Sequence, residues 1–331
     1  MKLLIKLFLV IGLLSIIFLI GPGPGKISIN PNPISTNNNN SSPEQLICDR
    51  EKYFKIKPNN EARIIWADST KKEKTEYSLV YIHGFSASQG EGDPIHKDFA
   101  KRYGMNLFLS RLEQHGLVTE EPFLNLKAQR LVASAKEAIA MGKVLGHKVI
   151  LMSTSTGGTL SLYLAQKDPD IAALILYSPN IDLFDPRSFL LIQPWGLYIS
   201  RGVLQSKYFT FQGDSAIKNY WYTKYRVEGL IELKNLIRHT MSKETFNNIS
   251  QSTFVGYYFK NEKEQDEIVS VGKILEMYDQ LATSKERKRI VRFSDVGHHA
   301  LASKYFSKDI PSVEKATFRY AEEVLKLVPV E

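Results

Sequence analysis

The stretch "KVILMSTSTGGTLSLYLA", Lys148 to Ala165, constrains the fold of this chain more than any other. A run of large apolar residues stops, six small residues follow from Ser153 to Gly158, and a helix-compatible pattern begins at once. "VILM" has the length and composition of a buried strand and "TLSLYLAQ" those of a helix, so the join is a strand-turn-helix too tight for bulky side chains. Ser155 lies at its centre.

The same alternation runs through the rest of the chain. Apolar, β-branched or aromatic runs predict strands at 53–57, 62–67, 78–82, 106–110, 148–152, 173–177, 253–259 and 289–293. The first two flank "PNNE", a turn signal, and predict an antiparallel hairpin at the sheet edge. Helical patterns separate the later strands: "IHKDFAKRYG", "LNLKAQRLVASAKEAIAMGKVLG", "TLSLYLAQ" and "VGKILEMYDQLA", with "SVEKATFRYAEEVLKLV" after the last. Strands alternating with helices form βαβ units, so the expected architecture is an eight-stranded, mostly parallel α/β sheet covered by helices on both faces. Residues 184–249 break this rhythm between the sixth and seventh strands. They are rich in aromatics ("PWGLYISRG", "KYFTF", "KNYWYTKYR") and then helical, and are expected to form a helical cap over the carboxyl edge of the sheet.

Composition removes several functional classes. The chain has 331 residues, 43% of them apolar, enough for a large core, and the folded body is expected to occupy 46–331. Its net charge of +8 is spread through segments of mixed sign such as "KNEKEQDE", which reads as a solvated surface, and no nucleic-acid-binding module is present. Cys48 is the only cysteine, so there is no internal disulfide and no cysteine-based metal cluster. No metal-ligand spacing, phosphate loop or dinucleotide fingerprint occurs, and no cofactor is expected. At the N-terminus, Lys2 and Lys6 precede an uncharged apolar run from Leu7 to Ile20, so 1–20 reads as a signal peptide or membrane anchor. "GPGPGK" offers no A-x-A-like cleavage site, which favours a retained anchor. Either form puts the body outside the cytoplasm, on the periplasmic side in a bacterial cell. Residues 21–45, rich in Pro, Gly, Asn and Ser, read as a flexible linker.

A serine presented between a strand and a helix requires small residues two positions away on either side, because the two backbones come close there. Ser153 and Gly157 meet that need around Ser155, with a serine at the position where glycine is usual. Taken alone, a Ser/Thr-rich turn is equally a helix N-cap. Its context points to chemistry. "LVYIHGFSAS" ends the third strand in His83-Gly84-Phe85, so the amides of Phe85 and Thr156 are candidate donors to an oxyanion at Ser155. Activating a serine hydroxyl takes a base and an orienting acid. Asp266, in the loop after the seventh strand, is the candidate acid, with Glu262, Glu264 and Glu267 as neighbours and Asp182 as a remoter competitor. "RFSDVGHHALAS" after the eighth strand offers His298 and His299, and the turn chemistry admits either as the base.

In these motifs, and in "LVYIHGFSASQGEGDPIHKDFAKRYGMNLFLSRLEQHGL" and "DVGHHALASKYFSKD", the chain from about Leu79 onward resembles the α/β-hydrolase superfamily. It looks most like bacterial hydrolases of the serine aminopeptidase/monoacylglycerol lipase-like group. The resemblance implies an α/β-hydrolase fold and hydrolysis of carboxylic esters through an acyl-enzyme. Such proteins often carry G-x-H followed by two apolar residues and "AS", a register that makes His299 the base. The expected roles are Ser155 as nucleophile, Asp266 and His299 as acid and base, and Phe85 and Thr156 as oxyanion donors. The implied partners are a small-molecule ester or lipid and, through the N-terminal segment, a membrane. An amidase or peptidase on the same triad, or a non-catalytic binding module, are the rival readings.

Overall fold

The computed structural model describes residues 1–34 and 41–330. Part of the expected linker, 35–40, thus lies outside the described residues. Two helices come first, α1 (Lys2–Leu19) and α2 (Pro43–Glu51). Then follow β1 (Arg63–Ile65), β2 (Thr75–Ile82), α3 (Ile95–Arg102), β3 (Asn106–Leu109), α4 (Ala128–Leu145), β4 (Gly146–Thr154), α5 (Thr156–Ala165) and β5 (Ile171–Tyr177). An insertion carries α6 (Gly196–Leu204), β6 (Tyr208–Thr210), α7 (Ser215–Tyr220), β7 (Lys224–Arg226), α8 (Val227–Thr240) and α9 (Lys243–Asn247). The chain returns to the sheet with β8 (Ser252–Asn261), β9 (Glu264–Gln265), α10 (Val271–Gln280), β10 (Lys288–Phe293) and α11 (Ile310–Glu323).

Eight of these strands form one sheet in the order β1-β3-β2-β4-β5-β8-β10, with β9 folded back on β8, and β6 and β7 pair separately. The pairings from β3 to β10 are parallel, and β1 on β3 and β9 on β8 are antiparallel. The period of two along each strand builds the layers. Val149 and Leu151 of β4 join Leu131, Ala135 and Ile139 of α4 and Ile274 of α10 in one core. Ile150 and Met152 join Ile95 and Phe99 of α3 and Tyr320 of α11 in the other. Each large side chain so buried contributes about 1.5–3 kcal/mol, and that gain fixes the register, since a one-residue slip would exchange the two faces.

Two expectations are corrected at the edges. Residues 53–57 form no strand, and the predicted hairpin with 62–67 is absent. Arg63–Ile65 pairs instead with β3, and Ile56 makes only an isolated bridge to Leu117. The edge position that a hairpin would have used is filled by a partner distant in sequence, and the eighth strand is β9. The insertion is also not wholly helical, since β6 and β7 pair as an antiparallel ribbon with Tyr208 opposite Arg226.

Among the described residues, no helix is long and apolar enough to cross a membrane. At 1.5 Å per residue the uncharged part of α1, Leu7 to Leu19, spans only about 20 Å, short of a hydrocarbon core about 30 Å thick. The retained-anchor expectation therefore has no spanning helix behind it. The segment after α1 touches the body: the Trp195 amide donates to Pro22 O at 2.8 Å and Asn235 Nδ2 to Gly25 O at 2.9 Å.

Candidate active site

The join that dominates the sequence is a sharp elbow at the carboxyl end of β4. Ser155 has φ 54° and ψ −118°, a conformation that costs a non-glycine residue on the order of 1–3 kcal/mol. The surroundings hold it there. Its amide donates to Tyr177 O at 3.0 Å, and its carbonyl accepts from Gly158 N at 2.8 Å and Asn180 N at 3.0 Å. Gly157 explains the small flank, since a Cβ there would lie 1.9 Å from Ile82 O. Ser153, on the other flank, is fully buried, and its Oγ lies 3.2 Å from Ser161 Oγ. A serine thus fits where glycine is usual because its hydroxyl has a partner in α5.

Asp266 and His299 meet across two loops that follow β9 and β10. His299 Nδ1 lies 2.6 Å from Asp266 Oδ2, and Asp266 Oδ1 accepts from the Ile268 and Val269 amides at 2.9 and 3.0 Å. Burial pushes the Asp266 carboxyl up, but the His299 charge, its hydrogen bond and the two amides outweigh burial and hold it below the usual range. Burial pulls His299 down, and the Asp266 carboxylate outweighs that and holds it above the ordinary histidine value. An ionised Asp266 can only accept, so Nδ1 carries the proton and Nε2 is the lone-pair nitrogen. Nε2 is buried and has no partner among the described residues.

His298 takes a different place. Its ring stacks on Phe306 with centroids 4.1 Å apart, and its Nδ1 accepts from the Ala300 amide at 3.1 Å. Burial and the neighbouring His299 push it down to about 4. The other acids lie elsewhere, and Glu262 is exposed. Asp182 pairs with the buried Lys234 of α8, Glu264 with Lys260, and Glu267 is an exposed residue on the cavity rim.

The loop after β2 faces the elbow. His83 Nε2 accepts from the Leu112 amide at 3.1 Å, which leaves Nδ1 to donate to Gly84 O at 2.9 Å. Burial holds His83 down to about 4, so it is a neutral brace. The Phe85 ring packs on Phe123 and Tyr225 with centroids 4.6 and 5.5 Å apart. Its amide meets no acceptor among the described residues. Thr156 opens α5, so its amide is one of the first-turn donors that a helix leaves unpaired. Sequence reasoning missed Glu91, in a 3-10 turn Gln89–Gly92. Its carboxyl is buried, and Oε2 accepts from the Gly84 amide at 2.5 Å and from the Tyr81 hydroxyl at 3.4 Å. Burial pushes it up to about 7, against the Gly84 hydrogen bond and the His299 charge. The only signal was an acid between two glycines in "QGEGDP", a pattern that by itself reads as a turn.

Ser155, His299, Phe85 and Glu91 all line one cavity of about 640 Å³. Its far wall is apolar and comes largely from the insertion, with Leu190, Leu191, Ile199, Val203, Phe209 and Leu233 among its residues. Among the described residues no cluster of His, Cys, Asp or Glu could hold a metal ion.

The chain has the α/β-hydrolase fold. It resembles, over 80% of its length and 98% of the other chain, the LipS/LipT structure of metagenome-derived lipolytic enzymes, with a TM-score of 0.64 at 14% identity. The Paleococcus ferrophilus monoacylglycerol lipase matches with a TM-score of 0.57 at 11% identity, over 78% of this chain and 96% of that one. A thermostable monoacylglycerol lipase of Bacillus sp. (strain H-257) is 29% identical over 111 residues, 34% of this chain and 44% of that lipase. The matched segment therefore spans less than half of the Bacillus enzyme. No protein-family model matches the chain.

Proposed function

We propose that this chain is a serine hydrolase of carboxylic esters, with an apolar acyl group bound in the cavity. The observation that carries the reading is the 2.6 Å His299-Asp266 hydrogen bond, on a cavity that also contains a serine in strained elbow geometry. Ser155 Oγ attacks the carbonyl carbon while His299 Nε2 takes its proton, and Asp266 steadies the imidazolium that forms. The Phe85 and Thr156 amides receive the negative charge on the tetrahedral oxygen. His299 then returns the proton to the leaving alcohol, and water repeats the sequence on the acyl-enzyme. The lipolytic names of the similar proteins support an ester as substrate, and the aliphatic wall supports a hydrocarbon acyl group.

Fluorophosphonate labelling and p-nitrophenyl ester hydrolysis by the whole chain test the reading. Wild type is expected to be labelled and to turn over, and Ser155→Ala to do neither while remaining folded. Labelling of the Ser155→Ala protein would remove Ser155 from its role. Turnover of amides with inertness to every ester would move the site to the amidase reading.

We also infer export of the body. Lys2 and Lys6 ahead of the apolar run support it, and fractionation of cells making the full chain tests it. Recovery of the body in the cytoplasmic fraction would overturn it.

A further inference from the structure

Glu91 is a buried carboxyl that the proposed chemistry does not use. Among the described residues no cationic side chain is bonded to it, so the cost of burying the carboxyl is offset by only two hydrogen bonds. Its backbone is firmly set. The Glu91 amide donates to Ser88 O at 3.0 Å, His96 Nε2 lies 2.9 Å from Gln89 O, and all four residues of the turn are buried. The carboxyl is therefore presented by a fixed frame to the backbone 7 residues earlier in the same β2–α3 connection.

That loop carries the Phe85 amide. The amide of Gly84 and the amide of Phe85 sit on consecutive peptide units, so a bond that fixes the first restricts the rotation that aims the second. The contact is close on both sides, since a Cβ added at Gly84 would lie 2.8 Å from Glu91 Oε1 and 3.1 Å from Ser155 Cβ. Gly84 thus lies between the carboxyl and the elbow, where no side chain fits.

We propose that Glu91 is a positioning residue, whose carboxyl grips the Gly84 amide and thereby holds the Phe85 amide in line with the oxyanion formed at Ser155. The inference rests on the ester-hydrolase reading. It assigns to Glu91 an effect on the transition state and almost none on ground-state binding, because the cavity wall that receives the acyl group is formed elsewhere.

Two near-isosteric variants of the full chain separate this role from its rivals, with kcat and KM measured on p-nitrophenyl butyrate. Glu91→Gln keeps an acceptor oxygen at the same reach and loses the charge. Glu91→Asp keeps the charge and draws the acceptor back by one methylene. A lost oxyanion donor costs about 10²–10³-fold in kcat, so partial misalignment in Glu91→Asp should cost about 10-fold or more with KM little changed. Glu91→Gln should stay within a few-fold of wild type. Equal kcat for all three proteins, a loss in the Gln variant as large as in the Asp variant, or a change confined to KM would each overturn the proposal. Wild-type labelling by a fluorophosphonate distinguishes the two levels: a folded wild type that never labels removes the hydrolase reading itself. A wild type that labels, with both variants labelling at its rate, removes only the role of Glu91.

Discussion

Two loops each carry a buried carboxyl close to the cavity, Glu91 on its lining and Asp266 behind His299, and the two are treated in opposite ways. Asp266 is met by His299 from the loop after β10 and by two amides of its own loop, and the carboxyl is held below its usual range. Glu91 is met by the Gly84 amide and the Tyr81 hydroxyl of β2, and burial lifts the carboxyl to about 7. The hydrogen-bonded charge of His299 and the number of N–H donors decide between them. A charge taken out of water must be met by opposite charge or by several N–H groups, and one strong hydrogen bond is too few. Asp266 is built to be ionised beside His299, and Glu91 is built to hold its proton to a higher pH than an ordinary glutamate.

The sharpest way to break this contrast is Asp266→Asn. The side-chain amide can offer its N–H to His299 and favour the wrong tautomer, so kcat should fall by about 10⁴-fold with KM nearly unchanged, as steady-state kinetics would show. Gly84→Ala attacks the other loop. Its methyl group must displace Glu91 or the elbow, and kcat should drop by about 10²-fold in a protein whose circular dichroism is that of wild type.

Stability against pH sharpens the comparison further. Between the ordinary glutamate value of 4.5 and about 7, the folded protein keeps on Glu91 a proton that the unfolded chain releases. Stability from this residue is thus fully present at low pH and is lost as pH rises through 7. Glu91→Gln has no such loss. Relative to wild type it should be more stable at pH 8 than at pH 5 by something on the order of 2–3 kcal/mol, measured by urea unfolding at the two pH values. A difference that does not change with pH would mean that Glu91 is ionised throughout. The smallest effect is expected at His298, which faces Phe306 and not the Asp266 carboxylate. His298→Ala should lose about 0.5–1.5 kcal/mol of stacking in the same unfolding assay and leave kcat within a few-fold.

Local patterns carried the sequence reading a long way. The six strands from 78–82 onward and the helices between them lie where apolar periodicity puts them, because both signals are complete within one element. The hairpin failed for the converse reason. Nothing in 53–57 or 62–67 reveals that β3 offers the second of them a better edge. The insertion's ribbon was equally hidden, since β6 and β7 have three residues each and gain their pairing from one another across an intervening helix.

The sequence by itself determined the order of the candidate site residues along the chain and the small residues at Ser153, Gly157 and Gly158. The small residues are steric requirements of a single turn, readable within about ten residues. Only the tertiary structure decided which histidine meets Asp266, that Asp182 is occupied by Lys234, and that Glu91 closes on the Gly84 amide. The first two join segments brought together only by the packing of the sheet, and the third depends on how one connection folds back on itself. Hydrogen bonds and carboxyl charge depend on distance and burial, quantities that exist only once those segments have met.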